Sequence, residues 1–218
     1  MFQRFFRLGK PVWNYLWYTC AMISLPGNNT FLKQLLVVLL VAFCSASFVD
    51  EPECVITWSA QRKLNWNDYK GKPKPRFAAA STVYSLGRHI YEEDNKLQAR
   101  VEAYFYCNDS WKKTEWISDE VLAHEQKHFD IVELYARKLR KQISSFAYAG
   151  LKNAENTIDS LYAVISKEMD IYQDKYDDAT DGSMNGYAQR KWIRQIDAEL
   201  KELEAYSTNP VILKRSGR

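Results

Sequence analysis

The chain has 218 residues, 46% of them hydrophobic and 26% charged, with a formal net charge of +3, which suits one domain with a substantial core. The first 46 residues carry four cations (Arg4, Arg7, Lys10 and Lys33) and no acid, so the remainder holds 26 basic against 27 acidic residues. That balance gives no electrostatic reason for nucleic acid as a partner, and the basic ending at 214–218 is too short to change this.

Lys33 precedes an apolar run at 35–43, followed by the small residues Cys44, Ser45, Ala46 and Ser47. A basic flank, a short hydrophobic core and a cleavable small-residue stretch, in that order, describe an export signal. Residues 1–47 are therefore expected to be a targeting region, and the mature protein to reside in the periplasm, the cell envelope or outside the cell. The run is short for a membrane span, so no stable span is expected in the mature form. An uncleaved anchor is one alternative. A lipoprotein built on Cys44 is another, although the bulky Phe43 stands where a small residue is wanted. Residues 1–21 are unusually aromatic, and either Met22 is the true start or they form a long leading segment.

Beyond the signal, 48–206 reads as one domain and 207–218 as a tail. A β-prone run at 54–58 is followed by a loop at 70–75, then by strands at 77–86 and 97–106 around a turn at 92–95. In the last of these Arg100, Glu102 and Tyr104 alternate with Val101, Ala103 and Phe105, as in a half-buried strand. A helix over 121–142 has Ser118 as its cap, with Asp119 and Glu120 in the first turn where the helix dipole favours acids. Further helices are expected at 154–176 and 188–206, broken at 177–186 by Gly182 and Gly186. The layout is α+β: a small antiparallel β-sheet, then a motif helix and two further long helices. Arg137 to Lys141 and Glu199 to Glu204 read as solvated helix faces that can pair with each other, and Trp58, Trp66, Trp111 and Trp116 as core, with the lining of a substrate cleft as the alternative. The chain retains Cys54 and Cys107 after the signal, open to a disulfide or to two buried thiols.

The chemistry concentrates at His124-Glu125-Gln126-Lys127-His128, which holds two of the three histidines. On a helix His124 and His128 stand one turn apart on the same face, so both imidazoles can hold one Zn2+. Glu125 is then placed as the general base that takes a proton from water activated by the metal. Val121, Ile131, Val132 and Tyr135 share that face and none is a strong zinc ligand, while Asp130 and Glu133 point away. The third ligand must come from elsewhere in the chain.

Several segments together resemble a known family. They are Trp58-Ser59, the stretch Arg62-Lys63-Leu64-Asn65-Trp66-Asn67-Asp68-Tyr69-Lys70-Gly71, Ser110-Trp111, the motif with Phe129-Asp130-Ile131 after it, and Tyr176-Asp177-Asp178-Ala179-Thr180. Over about residues 54–200 the chain is similar to predicted secreted zinc-dependent proteases, an HExxH-containing domain of unknown function in its Bacteroidetes-type form. The resemblance implies a small exported zincin-like domain with zinc on His124 and His128. Its pattern Tyr-Asp-x-x-Thr-x-His would end on a third histidine ligand, where this chain has Gly182. Asp181 stands beside the vacancy and is the first candidate for the third ligand. Asp177 and Tyr176 lie on the same segment, and Glu155, with Asp159 one turn later, is a further candidate. His89, beside Arg88 near a strand end, reads as an exposed or core-edge histidine.

Two functions follow. One is a secreted zinc metallopeptidase acting on a peptide or protein substrate, with Glu125 as base. The other is a degenerate, non-catalytic exported binding module of zincin-like fold, for which Gly182 argues. Cleavage preference and oligomeric state have no signature in the sequence.

Overall fold

A computed structural model describes residues 53–216; the export-signal reading of residues 1–47 lies outside the described residues. The architecture is α+β, with antiparallel pairing in its main sheet and three long helices after the strands. The sheet is organised by strand β4 (Lys96–Tyr106), which pairs with β1 (Val55–Thr57) on one side and β3 (Tyr84–Glu93) on the other. Val101, Ala103 and Phe105 of β4 are fully buried while Arg100 is exposed, so the alternation in the sequence is realised in the sheet. The β3–β4 connection is a two-residue turn. Asp94 and Asn95 adopt φ of 52° and 58°, the left-handed pair that matches strand twist and that Asn and Asp tolerate.

The strand expected at 77–86 is two elements. Ala80–Ser81 forms β2, which leaves the main sheet to pair with β5 (Trp111–Lys112), and β3 starts only at Tyr84. The segment between β1 and β2 holds a capped 3-10 turn, Trp66–Asp68, where Asn65 accepts from Asn67 N–H and Asp68 accepts from Asn65 N–H. This local closure delivers Tyr69 into the core against Phe105, with ring centroids 5.2 Å apart. A disulfide joins Cys54, just before β1, to Cys107, just after β4.

Helix α1 (Asp119–Ser145) starts at Ser118, whose hydroxyl accepts from Val121 N–H at 3.2 Å. It packs on the sheet with one side, and α2 (Leu151–Thr180) and α3 (Gly186–Glu202) cover the others. Almost every residue from His124 to Arg140 is therefore buried. This corrects the reading of Arg137–Lys141 as a solvated face: Arg137 and Arg140 are 3% and 2% exposed. Both ion-pair with Glu133, and Arg140 also donates to the Val101 carbonyl at 2.9 Å. Buried charges persist only when so paired. The pairing with the Glu199–Glu204 stretch exists, through Arg137 with Glu204 at 2.8 Å and Lys138 with Glu199 at 3.7 Å. Asp130, 1% exposed, accepts from Trp58 Nε1, Gln126 Nε2 and Lys127 Nζ at 2.7–2.8 Å. It thereby ties β1's end to the motif helix.

The segment 207–218, expected to be a tail, contributes to the domain. Val211–Ile212 (β7) pairs with β4, Leu213 is buried, and Lys214–Arg215 (β8) runs parallel to Ala147–Tyr148 (β6). No helix among the described residues is long and apolar enough to cross a membrane.

Candidate metal centre

One face of α2 meets the motif face of α1. Gln173, Tyr176, Asp177 and Thr180 recur at the i, i+3, i+4, i+7 spacing that lines one side of a helix, and all four touch His124 or His128. Continuous helix through Thr180 makes this possible. The chain break was expected from Asp177 onwards, but residues 177–180 contain no Gly or Pro. The helix ends at Asp181, which takes φ 50° and closes the last turn with its N–H on the Asp177 carbonyl, as an αL cap does.

The two imidazoles present their Nε2 atoms to each other at 3.1 Å, and Asp177 Oδ1 lies 3.1 Å from His124 Nε2 and 3.0 Å from His128 Nε2. Their far nitrogens are occupied. Gln173 donates its Nε2 to the His128 carbonyl at 2.9 Å, which leaves its Oε1 to accept from His128 Nδ1 at 2.7 Å. Thr180 spends its hydroxyl proton on the Tyr176 carbonyl at 2.7 Å and offers only lone pairs to His124 Nδ1 at 3.4 Å. With Nδ1–H fixed on both rings, each Nε2 lone pair points at the common centre, the arrangement that orients histidine ligands in metal sites. Tyr176 stacks on the His124 ring at 4.7 Å and meets the His128 ring edge-on at 5.2 Å, locking both planes.

Two imidazole nitrogens and one carboxylate oxygen could hold a metal ion. The donor set fits zinc, whose tetrahedral ligands at 2.0–2.1 Å stand roughly 3.3 Å apart. Without a metal His128 and Asp177 form an ion pair. Burial opposes a charged imidazole at His128, but hydrogen bonding and attraction from Asp177 outweigh it and lift His128 to about 9. Burial likewise disfavours the Asp177 carboxylate, yet hydrogen bonds from His124 and His128 hold it well below the usual carboxylate range. His124 and His128 are buried, whereas 28% of the Asp177 side chain is exposed, so the centre opens towards α2's end.

Glu125 is buried beside this cluster, and its Oε2 accepts from the Thr82 hydroxyl at 2.6 Å. Thr82 in turn is 2.8 Å from the Tyr69 hydroxyl. Burial, then the nearby Glu125 charge, pushes Tyr69 far above a normal phenol. It stays protonated and donates to Thr82, which donates to Glu125.

The family model that matches this chain, over residues 61–185, is that of a bacterial protein of unknown function (DUF922). The chain belongs to the DUF922 family. This corrects the resemblance to secreted zinc-dependent proteases, because DUF922 membership carries no assigned activity and supplies neither a protease nor a metal. No curated protein and no solved structure matches the chain. The 61–185 match spans the motif helix and α2 through Thr180, so every residue of the cluster lies inside the DUF922 region.

Within this DUF922 chain the structure brings together His124, Glu125, His128 and Asp177. It does not bring in Asp181, which is exposed and occupied with capping, nor Glu155, which faces Lys152 at 3.8 Å on the far part of α2. Asp159 pairs with Arg88 at 2.6 Å, and His89 is exposed and stacked on Tyr91. Gly182 has φ 55° with open space where a Cβ would stand. Gln173, Thr180, Thr82 and Tyr69 were not anticipated as site residues. The stripe Gln173–Tyr176–Asp177–Thr180 was the available signal for the first two; Tyr69 fell within the 62–71 segment with nothing there to mark a role, and Thr82 had no signal.

Proposed function

We propose that this chain is an exported zinc-dependent metallopeptidase of zincin-like design, with His124, His128 and Asp177 holding the metal and Glu125 as general base. The observation that carries the reading is the convergence of His124 Nε2, His128 Nε2 and Asp177 Oδ1 within 3.0–3.1 Å of one another. Glu125 lies next in the chain to the first donor. When bound, zinc supplies a Lewis acid that acidifies water and polarises a peptide carbonyl. Glu125 accepts the proton of the attacking water and returns it to the departing amine. Thr82 holds one carboxylate oxygen of Glu125 at 2.6 Å, leaving the other for the proton. Gln173, Thr180 and Tyr176 keep both imidazoles in the tautomer and plane that ligation needs.

Export rests on the ordered signal features between Lys33 and Ser47. The non-catalytic alternative rested on the missing histidine at Gly182, and a third donor at Asp177 removes the need for one there. The test is Glu125→Gln in zinc-loaded protein. Zinc content should be unchanged while hydrolysis of an unstructured protein substrate falls by about a hundredfold or more, since an amide cannot accept the proton. Hydrolysis that survives this change rules out Glu125 as base, and a zinc-loaded parent chain without hydrolysis returns the non-catalytic module.

A further inference from the structure

Residues 69–91 contain no acid, and Lys70, Lys72, Lys74 and Arg76 recur at every second position at its start. All four are exposed. Gly71 docks this loop by donating its N–H to the Ser110 carbonyl at 2.8 Å. The contact is so close that a Cβ on Gly71 would lie 2.8 Å from two carbonyl oxygens. It sets the lysine-rich loop beside Lys112 and Lys113. Lys113 Nζ donates to the Arg76 carbonyl at 2.6 Å and lies 4.1 Å over the Trp116 ring. None of these cations pairs with a carboxylate among the described residues, in contrast to Arg62, Lys127, Arg137 and Arg140, which all do.

Two large aromatic side chains cap the patch. Phe77 is 84% and Trp116 44% exposed, and their rings sit 5.7 Å apart. Neither helps the core by standing there, and aromatic residues ringed by cations are typical of contact surfaces for a ligand of opposite charge. The patch is also joined to the metal centre. Arg76 Nη2 donates to Ser81 Oγ at 2.6 Å, and the next residue is Thr82, which holds Glu125. From Phe77 to Thr82 the chain can span no more than about 17 Å, a distance an extended substrate of similar length covers.

We infer that this ledge docks an acidic, aromatic-bearing stretch of the polypeptide substrate, so that the substrate class is acidic peptide. The assignment rests on the peptidase reading for the fate of the peptide at Glu125, but not for its binding at the ledge. Once these six cations are set aside, the domain beyond residue 46 holds 20 basic against 27 acidic residues, so attraction for an acidic ligand is confined to this one edge. The aromatic pair gives side chains a surface to pack on while the cations meet carboxylates.

The experiment is fluorescence anisotropy on the full chain carrying Glu125→Gln, with zinc and with zinc chelated. Three labelled peptides are compared: alternating Glu and Phe, the same with Gln for Glu, and the same with Lys for Glu. The Glu peptide should bind at least about tenfold more tightly than the Gln peptide, with the preference shrinking as salt rises. Lys72→Glu with Lys74→Glu, both exposed and outside the core, should abolish that preference. Phe77→Ala with Trp116→Ala should weaken the Glu and Gln peptides alike. Equal binding of the Glu and Gln peptides, or a preference intact in the lysine variant, overturns the inference. So does an oligonucleotide of equal charge that binds as tightly and is lost in the same variant, since the ledge would then be a general polyanion site. Binding of the Glu peptide without zinc-dependent hydrolysis by the unsubstituted chain would overturn the peptidase reading and leave the ledge standing. Hydrolysis with no preference for acidic peptides would do the reverse.

Discussion

Replacing Asp177 by Asn separates two roles that one carboxylate plays at the centre. In the zinc-free protein Asp177 holds His128 protonated, lifting it to about 9. A metal must displace that proton. At pH 7, two units below, displacement weakens zinc binding by roughly a hundredfold, and affinity in the parent chain should climb by about tenfold per pH unit until it levels near pH 9. Asn carries no charge, so burial, the largest influence on His128, is opposed in the variant only by the weaker Glu125 charge and the Gln173 hydrogen bond, and the ring sheds its proton by pH 7. The variant's affinity should then be nearly flat between pH 7 and 9. It should also be weaker at both ends, because a carboxylate donor has been lost. The deficit should be largest at pH 9, about a hundredfold or more, where the parent no longer meets proton competition. Competition against a chromophoric chelator over this pH range measures both profiles. The sign for stability follows from the same pair. Zinc-free protein gains stability from the His128–Asp177 ion pair in full below pH 6.5, and loses it as pH rises through about 9. A flat parent profile, or a variant that binds zinc as tightly as the parent at pH 9, would show that Asp177 neither holds the proton on His128 nor ligates the metal.

Gln173→Leu removes the acceptor on His128 Nδ1 and should weaken zinc roughly 10–100-fold, with Gln173→Glu restoring most of it, as read by the same chelator competition. Gly71→Ala forces a Cβ to within 2.8 Å of the Asn108 and Ser110 carbonyl oxygens, and should lower stability in urea titration by roughly 1–3 kcal/mol. Reduction of the Cys54–Cys107 disulfide frees a loop of 53-residue separation. On chain entropy it should cost up to about 4 kcal/mol, seen as a lower urea midpoint in reductant.

The parts of this molecule legible in its sequence are those that local periodicity sets. His124, Glu125 and His128 were readable because helical spacing alone puts both imidazoles on one face, and β4 because alternation has a period of two. What depended on distant partners was not. The end of α2 was placed at residue 176 because Gly182 and Gly186 mark the segment after it as a break. The helix continues because α1 covers Tyr176 and Thr180, and that extra turn makes Asp177, not Asp181, the third member of the cluster. Arg137 and Arg140 looked solvated since nothing nearby in sequence announces that sheet and α3 close over them with Glu133 as counter-charge. Val211–Ile212 seemed part of a tail, and only its pairing with β4, more than a hundred residues upstream, makes it a strand.

Whether His124, His128 and Asp177 hold zinc is decided by the metal content of the purified full chain after equilibration with zinc and removal of excess, measured beside His124→Ala and His128→Ala. About one zinc per chain is expected in the parent and essentially none in either variant. Zinc retained by both variants, or absent from the parent, would contradict that ligand assignment.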